Sequence, residues 1–598
     1  MTKPSVPSIE NALSDPLLVD WPVATLQKLG RRYSKDPQQS KTSKTSLRVA
    51  INAGFTADYL AEILPLFFAH RGFDIAIYVG PYGGLQTEIL DSGSAFWTFD
   101  PDLVIWLPTH RDLRNVPAID ANAEDLKKLV DSELESWRAM WARTQIPIIQ
   151  MTFDPPPTRP LGEGDGLYPG GRLHYIRTVN AAMIEAAPDH VTFIDSEVLA
   201  MRSGIDWFDD RLYRLAKQPF AMEALPSIAN ALAGAATSTL GRSRKAIIVD
   251  LDNTLWGGVV GDDGLTGIAL GPETAEGESF VAFQKYLKTL TDRGIVLNVC
   301  SKNDPKFARE PFEQHSAMVL KLDDVAEFRA NFEDKATNIR AIAEALNLGL
   351  DAFVFIDDSP VECALVRETL PEVWTIELKG DPSGFPDLLE RAASFPVGRL
   401  TAEDRRRTAS YKALETVQEG MESTTDIDSF LRDLTPQVVI ETVRDDTVER
   451  ISQLIGKTNQ FKLNGSTYSP VELRERADNV LALRLKDRLQ DYGIVAVAVL
   501  ENNQDDGALV VRNWVMSCRV FSRRLEYLTR ELITEKAAAA SFSRIRLQYV
   551  ESGRNGLVSP LLDQLGFEPD TEQGWYEATL NAPSALPPHF MSRVQTDN

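Results

Sequence analysis

Apolar and polar positions fall into blocks along this chain, and each block predicts its own element. Residues 35–46 (KDPQQSKTSKTS) are polar and nearly free of apolar groups, which reads as a flexible linker following an N-terminal segment, 1–45. Beyond it, SLRVAINA predicts a strand, ADYLAEILPLFFAHRG an amphipathic helix and FDIAIYVG a second strand. PDLVIWLP (101–108), IPIIQMTF (146–153) and HVTFIDS (190–196) continue the series. Strands separated by helical stretches predict a first α/β domain over 46–235. A second series begins at Lys245, with strands AIIVDL (246–251), IVLNVCS (295–301), MVLKL (318–322) and AFVFID (352–357), and occupies 243–395. Residues 396–435 read as a helical connection.

From 436 to 580 the pattern changes. QVVIETV predicts a strand and DTVERISQLI a helix, after which VLALRLKD, GIVAVAVLEN and ALVVRNWVMSC form three consecutive strands, an antiparallel meander. RRLEYLTRELITEKAAAA (helix), RIRLQYVES (strand), NGLVSPLLDQLGF (helix) and GWYEATL (strand) complete an α+β domain. Residues 581–598 read as a disordered tail. The whole is an α/β multidomain chain.

Bulk properties narrow the function classes. A length of 598 residues exceeds what one core organises. The net charge of −23 argues against nucleic acid as a partner. No apolar run reaches the roughly 20 residues that a membrane span requires, and the first residues lack the charged start and apolar core of a signal peptide. Three widely spaced cysteines (Cys300, Cys363, Cys518) fit a reducing cytoplasm better than a disulfide framework.

The chemistry concentrates in AIIVDLDNTLWGGVVGDDG (246–264). Strand alternation points Asp250 and Asp252 to one face, about 7 Å apart along the backbone, at the strand end where α/β sheets hold ligands. Two neighbouring carboxylates need a cation, a shared proton or solvent. Ser301 closes a later strand, Lys335 opens a helix, and Asp357 and Asp358 close another strand. A hydroxyl, a lysine and a second acidic pair at element boundaries are what phosphoryl chemistry requires, and carboxylate ligands suit Mg²⁺. The intervals from Asp250 to Ser301 and from Lys335 to Asp357 leave no room for a sizeable cap domain beside the necessary strand and helix.

In that order these residues resemble the four motifs of the haloacid dehalogenase (HAD) phosphatase superfamily. The resemblance implies a capless Rossmannoid domain with Asp250 as nucleophile, Asp252 as general acid/base, Ser301 and Lys335 in supporting catalytic roles, and Asp250, Asp252, Asp357 and Asp358 around the metal. The longer string DLDNTLWGGVVGDDG, with CSKND, DKATNI, FIDDSP, NQFKLNG, RLKDRLQDYGIVAV and WVMSCRVFSRRLE, resembles the FkbH-like family of bacterial natural-product pathways, as do YVGPYGGLQTEILD and LAKQPFAMEA upstream. That resemblance implies a glyceryl transferase/phosphatase: D-1,3-bisphosphoglycerate loses both phosphates and the glyceryl group becomes a thioester on the phosphopantetheine arm of an acyl carrier protein. Thr254, Gly257, Gly258, Asn303 and Arg519 are the substrate-binding residues it implies. Alternatives are a plain Mg-dependent HAD phosphatase acting on a small molecule or phosphoprotein, or glyceryl transfer to a polysaccharide hydroxyl.

The acceptor thiol is Cys518 or Cys300. Strand alternation turns Cys300 away from the Ser301 hydroxyl, whereas Cys518 ends a strand in a domain whose element order resembles the GNAT acyltransferases. FSRRLE offers no glycine for that family's pyrophosphate loop; a carrier-borne arm, lacking a pyrophosphate, would not need one. The N-terminal domain resembles the SGNH-hydrolase fold, but Gly54-Phe55-Thr56 stands where a nucleophilic serine belongs and DWFDDRLYRLAKQPF contains no histidine. A docking role is expected there rather than hydrolysis, with His110 as a satisfied loop residue.

Overall fold

The computed structural model describes residues 8–36, 45–392, 395–397, 417, 426–458, 460–503, 507–521, 523–552, 555–580 and 586–594. The core of the linker and most of the 396–435 connection lie outside them. The chain divides into two compact units, residues 1–239 with 388–398, and 240–387 with 399–598.

In the first unit, β1 (Thr45–Ala53), β2 (Phe73–Val79), β3 (Leu103–Leu107), β4 (Ile148–Met151) and β5 (Val191–Ile194) form an all-parallel sheet ordered β2-β1-β3-β4-β5. Near-continuous apolar runs suit such strands because helices cover both faces. Trp106, Trp137 and Trp141 fill one side, with the Trp141 indole donating to Gln150 Oε1 at 2.9 Å. Two helices precede the linker, Ile9–Ser14 and Val23–Lys35. The second lies so close to helix Asp58–His70 that a Cβ at Gly30 would stand 2.0 Å from the Glu62 carbonyl oxygen. The segment before the linker is therefore integral to the domain. Residues 388–398 also pack here, where Asn230 Nδ2 donates to the Arg391 carbonyl at 2.8 Å.

The second unit contains two sheets. β6 (Ala246–Val249), β7 (Val296–Ser301), β8 (Val325–Ala330), β9 (Phe353–Asp357) and β10 (Trp374–Glu377) form a parallel sheet ordered β10-β9-β6-β7-β8. The expected strand MVLKL is not one. The amides of Val319 and Leu320 donate instead to Gln284 Oε1 (2.9 and 3.3 Å), reaching from helix Ala275–Asp292, and the ladder position goes to Val325–Ala330. A side chain that satisfies two backbone donors removes the need for a strand partner.

The other sheet comprises β11 (Gln437–Glu441), β12 (Phe461–Lys462), β13 (Val480–Lys486), β14 (Asp491–Asn503), β15 (Ala508–Met516), β16 (Arg544–Gln548), β17 (Glu568–Pro569), β18 (Trp575–Thr579) and β19 (Ser592–Val594). β13, β14 and β15 form the expected meander, whereas β15 and β16 run parallel. Their ladder joins 508–511 to 544–547 and then opens. Asn464 Nδ2 bridges the carbonyls of Arg512 (3.0 Å) and Gln548 (3.3 Å) at the opening, β12 pairs with Met516 and Val515, and the Val550 amide donates to the Leu463 carbonyl at 2.9 Å. The chain thus fills its own gap with residues 461–464. The tail expected to be disordered supplies β19, parallel to β11, with Met591 buried; the ladder on the open edge of β11 outweighs the tail's polar composition. No helix among the described residues is long and apolar enough to cross a membrane.

Within the gap-filling segment, Lys462 is buried and its Nζ donates to the Ile455 carbonyl at 2.8 Å. Burial pulls its ammonium down to about 8. Between that value and its ordinary one the unfolded chain holds more protons than the folded chain, so stability rises with pH across this window and the charge is a cost at neutral pH. Lys462→Met is expected to stabilise the protein at pH 7 by about 2–3 kcal/mol, after allowing for the lost hydrogen bond. The gain should shrink toward pH 10, as thermal melts at the two pH values would read.

Candidate active site

Strand ends and helix starts bring the acidic residues together. Asp250 follows β6, and its amide donates to the Ile356 carbonyl at 3.0 Å, seating it beside β9. Asp357 is the last residue of β9 and Asp358 the next, before Ser359 caps helix Pro360–Thr369. One oxygen from each of Asp250, Asp357 and Asp358 lies within 4.8 Å of the others, a spacing that suits a shared divalent cation. Lys335, the first residue of helix Lys335–Ala345, is buried with its Nζ 2.9 Å from Asp250 Oδ1 and in contact with Asp357 Oδ2. One ammonium does not balance three carboxylates, and the surplus negative charge favours a cation.

The charges tune one another. Burial alone would lower the Lys335 ammonium, but Asp250 and Asp357 outweigh it and hold the group above its usual range. Burial, with the Asp250 charge adding to it, pushes Asp357 up to about 6. Asp358 rises for the same two reasons. A bound dication would reverse both carboxyl effects.

Asp252 stands apart from this cluster and is held by donors. Its Oδ1 accepts from the Trp256 indole (2.9 Å) and the Val260 amide (3.0 Å), and its Oδ2 from Asn303 Nδ2 (3.0 Å). Burial nevertheless raises its carboxyl above the ordinary range, which suits a group that must deliver a proton. The string WGGVVGDDG thus has a local purpose: it folds back as a turn that positions Asp252. Asn253 (φ +53°) accepts from the Gly258 amide at 2.9 Å, Gly257 bridges Ala269, and the short helix Val260–Asp263 presents its first amide to the carboxylate. Gly258 (φ +91°) cannot carry a side chain cheaply, since a Cβ would meet Asp263 Oδ2 at 2.6 Å.

Of the other expected site residues, Ser301 ends β7 and is buried beside this cluster's strands, and Asn303 meets Asp252 directly. Thr254 is fully buried, and its hydroxyl has no partner among the described residues. Gly257 and Gly258 shape the turn around Asp252. Arg519 belongs to the turn Cys518–Val520, but its side chain lies outside the described residues. Composition had not singled out Trp256 and Val260 as partners of Asp252; the WGG spacing was the signal. Between β6 and β9 the described chain inserts no domain, so nothing in those intervals caps the site.

The three cysteines differ sharply. Cys300 and Cys363 are fully buried, and burial pushes each thiol up to about 12, so neither forms a thiolate readily at neutral pH. Cys518 is partly exposed and opens the turn after β15. It packs against the apolar cluster of the parallel sheet that carries Asp250, a cluster that includes Ala336, Cys300 and Cys363. In the first unit, His110 Nδ1 pairs with Asp154 Oδ1 at 2.9 Å, and Asp154 Oδ2 accepts from the Trp207 indole at 3.2 Å. Asp112 Oδ1 occupies the space beside Gly54, where a Cβ would meet it at 1.7 Å.

Residues 48–234 match the family model for the FkbH N-terminal domain. The chain is similar, at 30% identity, to the N-terminal part of BF1531 from Bacteroides fragilis, solved with its phosphatase domain complexed with Mg. That likeness covers 63% of this chain and 98% of that one, with a TM-score of 0.56. GNAT-type acetyltransferases are also similar. The Escherichia coli ribosomal-protein-S18-alanine N-acetyltransferase shares 12% identity over 25% of this chain and 97% of its own (TM-score 0.19). Nourseothricin acetyltransferase shares 12% over 24% and 99% (TM-score 0.18). A search of curated proteins gave no match.

Proposed function

Because the chain belongs to the FkbH-like family, with a HAD-type phosphatase domain and a GNAT-like C-terminal domain, we propose that it takes D-1,3-bisphosphoglycerate, removes both phosphates and loads the glyceryl group as a thioester on an acyl carrier protein. The observation that carries this reading is the packing of Cys518 against the sheet that bears the phosphatase carboxylates. A thiol suits acyl transfer from an acyl phosphate, a carboxylate suits attack on a phosphomonoester, and one compact unit holds both.

Asp250, Asp357 and Asp358 would hold Mg²⁺, which when bound supplies charge stabilisation to phosphoryl oxygens. Asp250 attacks phosphorus through a carboxylate oxygen, and Lys335 both orients it and offsets its charge. Asp252 protonates the departing C3 oxygen of the glyceryl group and then takes a proton from the water that hydrolyses the aspartyl phosphate. Cys518 attacks the acyl phosphate at C1, its sulfur bonding to the carbonyl carbon as the C1–O bond breaks and inorganic phosphate departs with the thiol proton. The carrier's thiol then takes the glyceryl group from Cys518, and the proton of that thiol returns to the cysteine. With no cap domain inserted between β6 and β9, the site would admit a substrate tethered to a protein.

Intact-protein mass spectrometry after incubation with 1,3-bisphosphoglycerate, Mg²⁺ and a phosphopantetheinylated carrier tests the scheme. A glyceryl mass on the carrier, and an enzyme adduct lost in Cys518→Ala, are expected. An adduct that survives Cys518→Ala overturns the thiol assignment. Phosphate release with no mass on the carrier reduces the protein to a phosphatase.

A further inference from the structure

Lys302 stands between Ser301 and Asn303, just past the end of β7, and phosphoryl transfer itself does not use it. Ala246 and Ile248 of β6, Val296 and Cys300 of β7, and Phe353 and Phe355 of β9 share one apolar cluster. Ala336 and Ile339 of helix Lys335–Ala345 and Cys363 and Val366 of helix Pro360–Thr369 complete it. Alternation continues this face of the sheet through Asp250, Lys302 and Asp357. An ion pair agrees with that placement: Lys302 Nζ lies 2.6 Å from Oε1 of Glu362, in the first turn of helix Pro360–Thr369. Val249 of β6 pairs with Val299 of β7, which puts the Lys302 Cα about 8 Å from that of Asp250.

We propose that Lys302, anchored by Glu362, binds the second acidic group of a three-carbon phosphomonoester whose phosphate sits at Asp250. This rests on the reading that the substrate is D-1,3-bisphosphoglycerate, and it makes Lys302 the residue that selects a doubly acidic substrate.

Donor count, charge and position select that role. An ammonium has three N–H donors, and among the described residues Nζ uses one of them, on Glu362. The Lys302 side chain is 39% exposed, so the other donors can meet a ligand. Glu362 borders the catalytic cluster, since its charge acts on the Cys300 thiol together with those of Lys335, Asp250 and Asp357. Its Oε2 is sealed and has no hydrogen-bond partner among the described residues, so Oε1 alone holds the lysine. The clustered carboxylates repel anions, and a substrate acidic at both ends needs a cation at each. Lys335 is buried at the phosphate end, and Lys302 lies one short carbon chain away. Arg329, in register with Cys300, stands a strand farther out, and its Nε turns to Glu327 Oε2 at 3.0 Å.

Competitive inhibition of p-nitrophenyl phosphate hydrolysis, measured on the full chain with Mg²⁺, tests the assignment. The probes are 3-phosphoglycerate and glycerol 3-phosphate, which share a phosphate on three carbons; only the first has a second acidic group. The parent is expected to bind 3-phosphoglycerate roughly tenfold more tightly, the ordinary effect of one charge-assisted contact. Lys302→Met should bring the two inhibition constants to within about twofold by weakening 3-phosphoglycerate alone. Lys302→Arg, which keeps the charge, should retain the preference. The assignment is overturned if the parent does not distinguish the probes, if Lys302→Met keeps the preference, or if Lys302→Arg loses it. Equal weakening of both probes in Lys302→Met overturns it too, because a purely structural ion pair would act in that way. Glyceryl loading by a parent whose preference ignores Lys302 would sink the assignment and spare the functional reading. A Lys302-dependent preference without glyceryl on the carrier would do the reverse.

Discussion

Asp250→Asn is expected to lower phosphatase turnover by roughly 10⁴-fold, since under the proposed mechanism it replaces the attacking carboxylate with an amide of the same shape. The effect is large because nothing nearby can substitute. Asp357 is buried and contacts Lys335, and its other oxygen accepts the Ser359 amide at 2.8 Å. Both oxygens of Asp252 are already occupied as acceptors, by Trp256, Val260 and Asn303. Phosphate release from p-nitrophenyl phosphate at saturating Mg²⁺ reads the loss directly. Residual turnover within about tenfold of the parent would mean that Asp250 is not the nucleophile.

Lys335→Met carries the second large effect, and it acts on stability as well as activity. The ammonium is buried between Asp250 and Asp357, so its removal leaves two buried carboxylates facing each other without a counter-charge. Breaking a buried ionic pair from one side costs about 3–5 kcal/mol, which for a unit of this size lowers its melting temperature by about 4–7 °C. Methionine preserves the aliphatic stem, so packing contributes little to the loss. If the three carboxylates hold Mg²⁺, millimolar Mg²⁺ should restore a substantial part of the melting temperature, because the ion supplies the missing positive charge. A variant that melts like the parent without Mg²⁺ would show that the carboxylates already share protons.

The sequence carried more of the phosphatase site than of anything else in the chain. Asp250, Ser301, Lys335 and Asp357 sit at element boundaries that periodicity alone marks, and parallel strands deliver such boundaries to one sheet edge. The meander of β13, β14 and β15 was likewise legible because each strand is short, apolar and bounded by turn residues. MVLKL read as a strand because its composition is that of one; the competing Gln284 amide acts from a helix earlier in the chain, and no local window contains it. The same holds for β19, whose partner β11 lies far upstream.

What the sequence by itself determined is the set of chemical groups and their order: two acidic pairs, a hydroxyl and a lysine at strand ends and a helix start. These depend on backbone periodicity, a property of neighbouring residues. Tertiary structure alone decided which groups are buried together. It separated Asp252 from the three clustered carboxylates, buried Cys300 and Cys363 beyond easy ionisation, and set Cys518 against the phosphatase sheet. Desolvation and charge–charge coupling, which set the reactivity of these groups, fall off over a few ångströms of space and take no account of distance along the chain.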